Sequence, residues 1–128
     1  MIDIKITLRR TSHWDVRLPL EKLANKVLGP SYQLSLVMCG DTLATRINKK
    51  YRKKASSPNV LSFELAKNEG EIFLNIRKAQ REAKALGVSL RARLALLYVH
   101  GLYHLKGLKH SDNMEQLEQK TLRAFRLL

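Results

Sequence analysis

Apolar residues recur every two residues in some segments of this chain and about every 3.6 residues in others. The first spacing is typical of strands and the second of helices, so the fold must contain both. Ile2, Ile4, Ile6 and Leu8 alternate with polar residues, as in a half-buried strand. Similar apolar segments predict strands over 32–39, 60–65 and 71–76, the last two as a hairpin. Helical spacing predicts helices over 14–28, 42–51, 77–86, 90–104 and from 112 onward. We therefore expect a single α+β domain over residues 1–128, with a four-stranded mixed sheet and about five helices.

Several polar and glycine residues predict where the helices begin and end. Ser89 is a suitable N-cap for the fourth helix, and Gly107 is a suitable terminator. Asp112, with Glu115 three residues later, resembles the start of a capping box for the last helix. The buried stripe of that helix is expected to contain Met114, Leu117, Thr121, Phe125 and Leu128.

Composition excludes several classes of protein. The longest apolar run, Leu94 to Val99, is far shorter than the roughly 20 residues that a membrane-spanning helix needs. The first residues lack the basic and then apolar layout of a signal peptide. Cys39 is the only cysteine, which allows no internal disulfide and fits a reducing compartment. These features predict a soluble, cytoplasmic protein without a membrane partner.

The charge of the chain favours polyanionic partners. Twenty-four Lys and Arg against 11 Asp and Glu give a formal net charge of +13. No acidic residue lies between Asp41 and Glu64, where six cations form what we call the basic segment: Arg46, Lys49, Lys50, Arg52, Lys53 and Lys54. We expect this segment to face the phosphates of a nucleic acid. An anionic membrane surface ranks second to nucleic acid and is not the expected partner, and an ordinary soluble basic protein is the alternative.

Three of the four histidines follow the pattern H-x3-H-x5-H, at His100, His104 and His110. Residues four apart on a helix share a face, and Gly107 can adopt the left-handed conformation that turns His110 back toward that face. Three imidazoles with an open fourth position are typical of catalytic zinc. Gly101 stands where a zinc peptidase helix carries its glutamate, which disfavours a peptidase. With the basic surface, the pattern favours phosphodiester hydrolysis.

The segment from His100 to His110, HGLYHLKGLKH, resembles the H-G-x-x-H-L-x-G-Y-D-H motif of the YbeY family. The segment 48–54, NKKYRKK, is similar to the N-x-x-Y-R-x-K motif of that family, and 59–63, NVLSF, to its N/D-V-L-S-F block. Residues 70–72, GEI, resemble its G-D/E-I strand start. The likeness runs in the same order from about Ile2 to the C-terminus.

The resemblance implies a small α+β fold whose central helix carries the first two histidines. It also implies a zinc-dependent, single-strand-specific endoribonuclease that acts in maturation of the small-subunit ribosomal RNA 3′ end and in ribosome quality control. His100, His104 and His110 match the metal ligands, and Arg52 matches a functionally important arginine. The expected catalytic residues are Arg52 and His100. The small ribosomal subunit, with its RNA and proteins, is the implied partner.

The chain departs from the family pattern close to the third histidine. Lys109 replaces the usual aspartate and Leu108 the usual tyrosine, while Asp112 is a candidate substitute for the lost carboxylate. These changes keep an alternative open, namely a non-catalytic, basic RNA-binding assembly factor with a structural zinc. Single-stranded RNA is often bound by stacking on aromatic side chains, and Tyr51, Phe63 and Tyr103 lie near the motifs. Aromatic residues at such spacings are more often part of the core, which is what we expect here.

Overall fold

The computed structural model describes residues 2–6, 16–109 and 112–128. The strands are β1 (Ile2–Ile6), β2 (Gln33–Cys39), β3 (Val60–Ala66) and β4 (Glu69–Asn75). The helices are α1 (Leu20–Leu28), α2 (Asp41–Arg52), α3 (Ile76–Leu86), α4 (Leu90–Leu105) and α5 (Asp112–Ala124). The expected single α+β domain with five helices and a mixed sheet is thus confirmed for the described part of the chain.

The strands lie in the order β1-β2-β4-β3. The β1–β2 and β2–β4 pairs are parallel, whereas β3 and β4 form an antiparallel hairpin, as predicted. Its turn at residues 67–68 places Asn68 at a φ of 62°, a conformation that asparagine tolerates better than most residues. This order leaves β3 at one edge of the sheet, which matters for the site described below.

Helix α4 forms the centre of the core on one face of the sheet. Its fully buried residues are Leu94, Ala95, Tyr98, Val99 and Leu102. Gly101 brings its backbone close to the sheet, because a Cβ atom there would lie 3.0 Å from Ser62 Oγ and 3.1 Å from Ile72 Cδ1. The Ser62 hydroxyl also donates a hydrogen bond to the Gly101 carbonyl at 3.2 Å. The helix that carries His100 and His104 is therefore fixed directly against β3 and β4.

Helix α2 covers the other face of the sheet with a smaller apolar cluster. Val37, Cys39 and Ala44 are buried there, and Leu43 and Phe73 pack against them. Burial, with a smaller contribution from the Asp41 charge, raises the pKa of the Cys39 thiol to about 11. The thiol is therefore protonated at neutral pH, which makes it a poor metal ligand or nucleophile.

Some element boundaries differ from the sequence prediction. Strand β4 begins at Glu69 rather than residue 71, and Ile76 belongs to α3 rather than to the strand. Ile76 is helical because the Asn75 side chain accepts a hydrogen bond from the Lys78 N–H and so caps α3 just before it. The predicted first helix begins only at Leu20, after the non-helical residues 16–19. Leu8 and the start of that predicted helix lie outside the described residues.

The buried stripe of the last helix was predicted wrongly at its C-terminal end. Leu128 is 64% exposed, whereas Leu127 is buried. Helix α5 ends at Ala124, and Arg126 has a φ of 56°, so the chain leaves the helical spacing before its last residue.

In the described part of the chain, no helix combines the length and the apolar character needed to span a bilayer.

Candidate active site

His100 and His104 lie one turn apart on α4 and present the same ring nitrogen to one point. Their Nε2 atoms are 2.9 Å apart, and the two rings meet almost perpendicularly, at 85°. Two imidazole nitrogens bound to one tetrahedral zinc ion are about 3.3 Å apart, so this pair needs only a small outward shift to share a metal. The two histidines thus lie on one face of the helix, as their spacing predicted, with their Nε2 atoms close together.

The other ring nitrogen of His100 is held by a buried carboxylate. Glu118 Oε2 on α5 lies 2.6 Å from His100 Nδ1, and Glu118 is only 6% exposed. A carboxylate accepts a hydrogen bond from Nδ1–H, which leaves the lone pair on Nε2, where it could bind a metal, and fixes the ring orientation. Glu118 therefore fixes the orientation of the His100 ring.

Sequence reasoning missed Glu118. The signal was its position in the last helix, four residues after Met114 and three before Thr121, both of which belong to the predicted buried stripe. A carboxylate on an apolar stripe requires a partner, because an unpaired buried charge is costly. In the fold that partner is His100, which lies 18 positions away and could not be chosen from the sequence.

The third predicted ligand, His110, lies outside the described residues. Gly107, which precedes it, has a φ of 103°, as its predicted role at the helix end requires. Over residues 2–6, 16–109 and 112–128, no group of three or more His, Cys, Asp or Glu side chains is arranged to hold a metal. His110 therefore stays a prediction, and His100 and His104 are the donors whose geometry is described.

Arg52 is brought next to the two histidines, although it lies almost 50 positions earlier in the chain. It shares with them a groove of about 330 Å³, whose other lining residues are Asn59, Val60, Ser62, Glu64 and Leu105. The Arg52 guanidinium lies 5.7 Å from the ring centroid of Phe63 on β3. Edge strand β3 is thus the link between the end of α2 and the histidine pair.

The remaining residues of the basic segment do not line this groove. All six residues of the segment are exposed, and they lie between the middle of α2 and the positions just beyond its end. Cations in the last turn of a helix also stabilise it through the helix dipole, so these residues have a local structural role as well. Arg52 therefore lines the same groove as the two histidines. The other five cations of the basic segment lie outside it: Arg46, Lys49, Lys50, Lys53 and Lys54.

The loop between α2 and β3 is held in place by a network of polar side chains. The Asn75 amide donates to Asp41 Oδ1, Ser57 Oγ and the Pro58 carbonyl, each at 3.0 Å. Arg81 donates two hydrogen bonds to Asp41, at 2.8 and 2.9 Å, and this contact holds the pKa of that carboxyl below its usual range. The loop that follows Arg52 is therefore anchored on α3 and β4.

Comparisons with known proteins identify the family of the chain. The sequence profile described as "Endoribonuclease YbeY" matches residues 4–126. The chain therefore belongs to the YbeY family.

Two relatives share that description. A Geobacter metallireducens protein named "Endoribonuclease YbeY" is 32% identical, and the match covers 85% of this chain and 84% of the relative. A Helicobacter pylori protein of the same name is 38% identical, with 84% and 81% covered. The solution structure of TM1509 from Thermotoga maritima has a TM-score of 0.67 and 19% identity, covering 95% of this chain and 87% of that one, which shows a shared fold.

Proposed function

We propose that this protein is a zinc-dependent endoribonuclease that cleaves single-stranded RNA. The observation that carries the proposal is the convergence of the His100 and His104 Nε2 atoms in a groove that also contains Arg52. The relatives named as endoribonucleases support the same reaction class. Within the cell we propose a cytoplasmic role in maturation of the small-subunit ribosomal RNA 3′ end and in ribosome quality control.

His100 and His104, with His110 as the proposed third ligand, would hold the zinc. A zinc ion bound there would polarise a phosphoryl oxygen and lower the pKa of a water molecule. Glu118 would orient the His100 ring through its hydrogen bond to the Nδ1 atom. Arg52 would bind the phosphate of the scissile linkage with its two-pronged guanidinium and offset the negative charge that develops in the transition state.

The main alternative is a non-catalytic assembly factor in which zinc only stabilises the fold. Two observations favour the catalytic proposal over it. The apolar core around α4 is buried without any contribution from His100 or His104, so a metal at this pair is not needed to complete it. His104 is exposed, and His100 is partly so, which leaves the donor pair open to a substrate in the groove.

A comparison of single-stranded with duplex RNA tests the proposed reaction. The substrate is an end-labelled RNA that matches the small-subunit 3′ tail, and its control is the same strand annealed to its complement. We expect internal cleavage of the free strand and at least about tenfold slower cleavage of the duplex, because a helix keeps the scissile linkage out of the groove. Failure to cleave either RNA, with the free strand still bound, would favour the assembly factor.

Replacement of Glu118 tests its proposed positioning role. We expect Glu118→Gln to weaken zinc binding about 10- to 100-fold, the range typical for loss of a carboxylate behind a metal-bound histidine. Zinc affinity is measured by competition with a chromophoric chelator, and the exposed Glu115 on the same helix, changed to glutamine, is the matched control. Equal zinc affinity in the two variants would contradict the role.

A further inference from the structure

An aromatic pair lies on the basic surface next to the histidine groove. Tyr51, on α2, is 59% exposed, contrary to the expectation that it packs in the core. Its ring centroid lies 5.4 Å from that of Phe63 on β3, with the ring planes tilted by 57°. Phe63 in turn meets Phe73 edge-to-face at 6.0 Å, and Phe73 packs on the apolar cluster under α2. The exposed tyrosine is thus supported from behind by a ring anchored in the core.

The two faces of edge strand β3 connect this pair to the histidines. Ser62 faces α4, since it bonds the Gly101 carbonyl, and side chains alternate along a strand, so Phe63 faces α2. Arg52 spans the two sides, because its guanidinium lies over Phe63 while it also lines the histidine groove. A strand of RNA that follows Arg52 around this edge therefore passes Tyr51 before it reaches the histidines.

The charges around Tyr51 favour nucleic acid over an apolar partner. A single exposed apolar side chain is common on a protein surface and marks no site by itself. Here, however, the Lys50 ammonium lies 5.2 Å from the Tyr51 ring centroid, and the neighbouring residues of the basic segment are exposed. An exposed ring between cations is the arrangement by which proteins bind single-stranded nucleic acid.

We propose that Tyr51 is a stacking site for one unpaired base of the RNA substrate, while the surrounding lysines bind the flanking phosphates. The inference rests on the proposed function and extends it by naming a determinant of strand specificity. A base inside a duplex has both faces covered by its neighbours, so only a single strand can offer a face to Tyr51. Every base has such a face, so the site is expected to tolerate any sequence.

The contact between Lys50 and the Tyr51 ring does not prevent this. A cation over an exposed ring contributes about two- to fivefold to an equilibrium constant, whereas base stacking on an aromatic side chain contributes about fivefold to a hundredfold. Lys50 is exposed, and a lysine side chain has a flexible four-carbon stem, so its ammonium can move from the ring to a phosphate when a base arrives. Replacing one contact by the other is therefore favourable.

Binding of intact and abasic RNA tests the proposal. The probe is the single-stranded 3′-tail RNA and a series in which one position at a time lacks its base. We expect Tyr51→Ala to raise the Kd for intact RNA about five- to thirtyfold, while the salt dependence of binding is unchanged because no phosphate contact is lost. One abasic position should weaken wild-type binding by a similar factor and leave Tyr51→Ala unaffected.

Controls separate stacking from other effects. Tyr51→Phe keeps the aromatic face and should bind RNA like wild type. Tyr51→Leu keeps an apolar side chain against Phe63 but has no aromatic face, so it should bind RNA more weakly. The leucine variant therefore tests stacking even if the alanine variant folds poorly. Leu86→Ala removes an equally exposed apolar side chain, 60% accessible, and should have no effect. Lys50→Ala should lower the salt slope by about 0.7, as expected for one phosphate contact on a single strand.

Two results would overturn the inference. If Tyr51→Leu binds intact RNA as tightly as wild type does, Tyr51 does not stack on a base. The same conclusion follows if Tyr51→Leu binds every abasic RNA more weakly than wild type does, by the same factor as for intact RNA. Wild-type protein that neither binds nor cleaves the single strand would overturn the proposed function itself. Normal cleavage by wild type, combined with an inert Tyr51, would overturn only the stacking site.

Discussion

Changing His104 to alanine is expected to reduce RNA cleavage at least about a thousandfold, because a metal centre contributes several kcal/mol to the transition state of phosphodiester hydrolysis. The change removes one of two Nε2 donors that lie 2.9 Å apart. His104 is exposed, so the core should be unaffected and the melting temperature nearly unchanged. Initial rates on the labelled 3′-tail RNA and a thermal melt give the two readouts.

The matched control for His104 is Lys106→Ala, an exposed change two residues later on the same chain segment. Both variants and the wild type need to be purified identically, since a contaminating ribonuclease would act equally in all three. Equal cleavage by His104→Ala and wild type would remove the histidine pair from the reaction. A large loss of stability in His104→Ala would instead indicate a structural role.

Changing Arg52 to alanine is expected to lower the turnover rate about 100- to 1,000-fold, the range seen when one transition-state hydrogen-bond donor is removed. RNA binding should fall only a few-fold, because five other cations of the basic segment remain exposed on the same surface. Arg52→Lys should restore binding but little of the rate, since an ammonium lacks the planar, two-pronged geometry of guanidinium. Single-turnover rates and Kd values, measured separately, distinguish these effects.

The control for Arg52 is Lys49→Ala, which removes a cation from the same helix outside the groove. We expect this variant to bind RNA slightly more weakly and to cleave bound RNA at the wild-type rate. If Arg52→Ala loses binding and rate by equal factors, or behaves like Lys49→Ala, Arg52 is an ordinary phosphate contact.

Much of the fold followed from the sequence because local signals determined it. Ser89 caps α4 through its hydroxyl, which accepts from the Ala92 N–H at 3.0 Å, as predicted. The prediction failed where a tertiary contact or a backbone reversal decided the boundary. Asn75 ends β4 by capping α3, and the reversal at Arg126 buries Leu127 in place of Leu128.

The candidate site was predictable to the extent that its residues lie on one helix. His100 and His104 share a face by their spacing alone, which needs no knowledge of the fold. The Glu118 contact joins α4 to α5, and the position of Arg52 depends on how α2 meets β3, so neither could be derived from periodicity. Tyr51 was expected in the core but is 59% exposed beside Phe63 on edge strand β3, and helical spacing does not reveal how α2 meets that edge.

The central claim is that zinc at the histidine pair is catalytic, and metal removal followed by titration tests it most directly. Wild-type protein is stripped with a chelator, dialysed, and followed by circular dichroism, RNA binding and RNA cleavage as zinc is returned. We predict that the stripped protein keeps its helical spectrum and its affinity for RNA, has no cleavage activity, and recovers activity at one zinc per chain. Full activity without metal, or unfolding on metal removal, would contradict the claim.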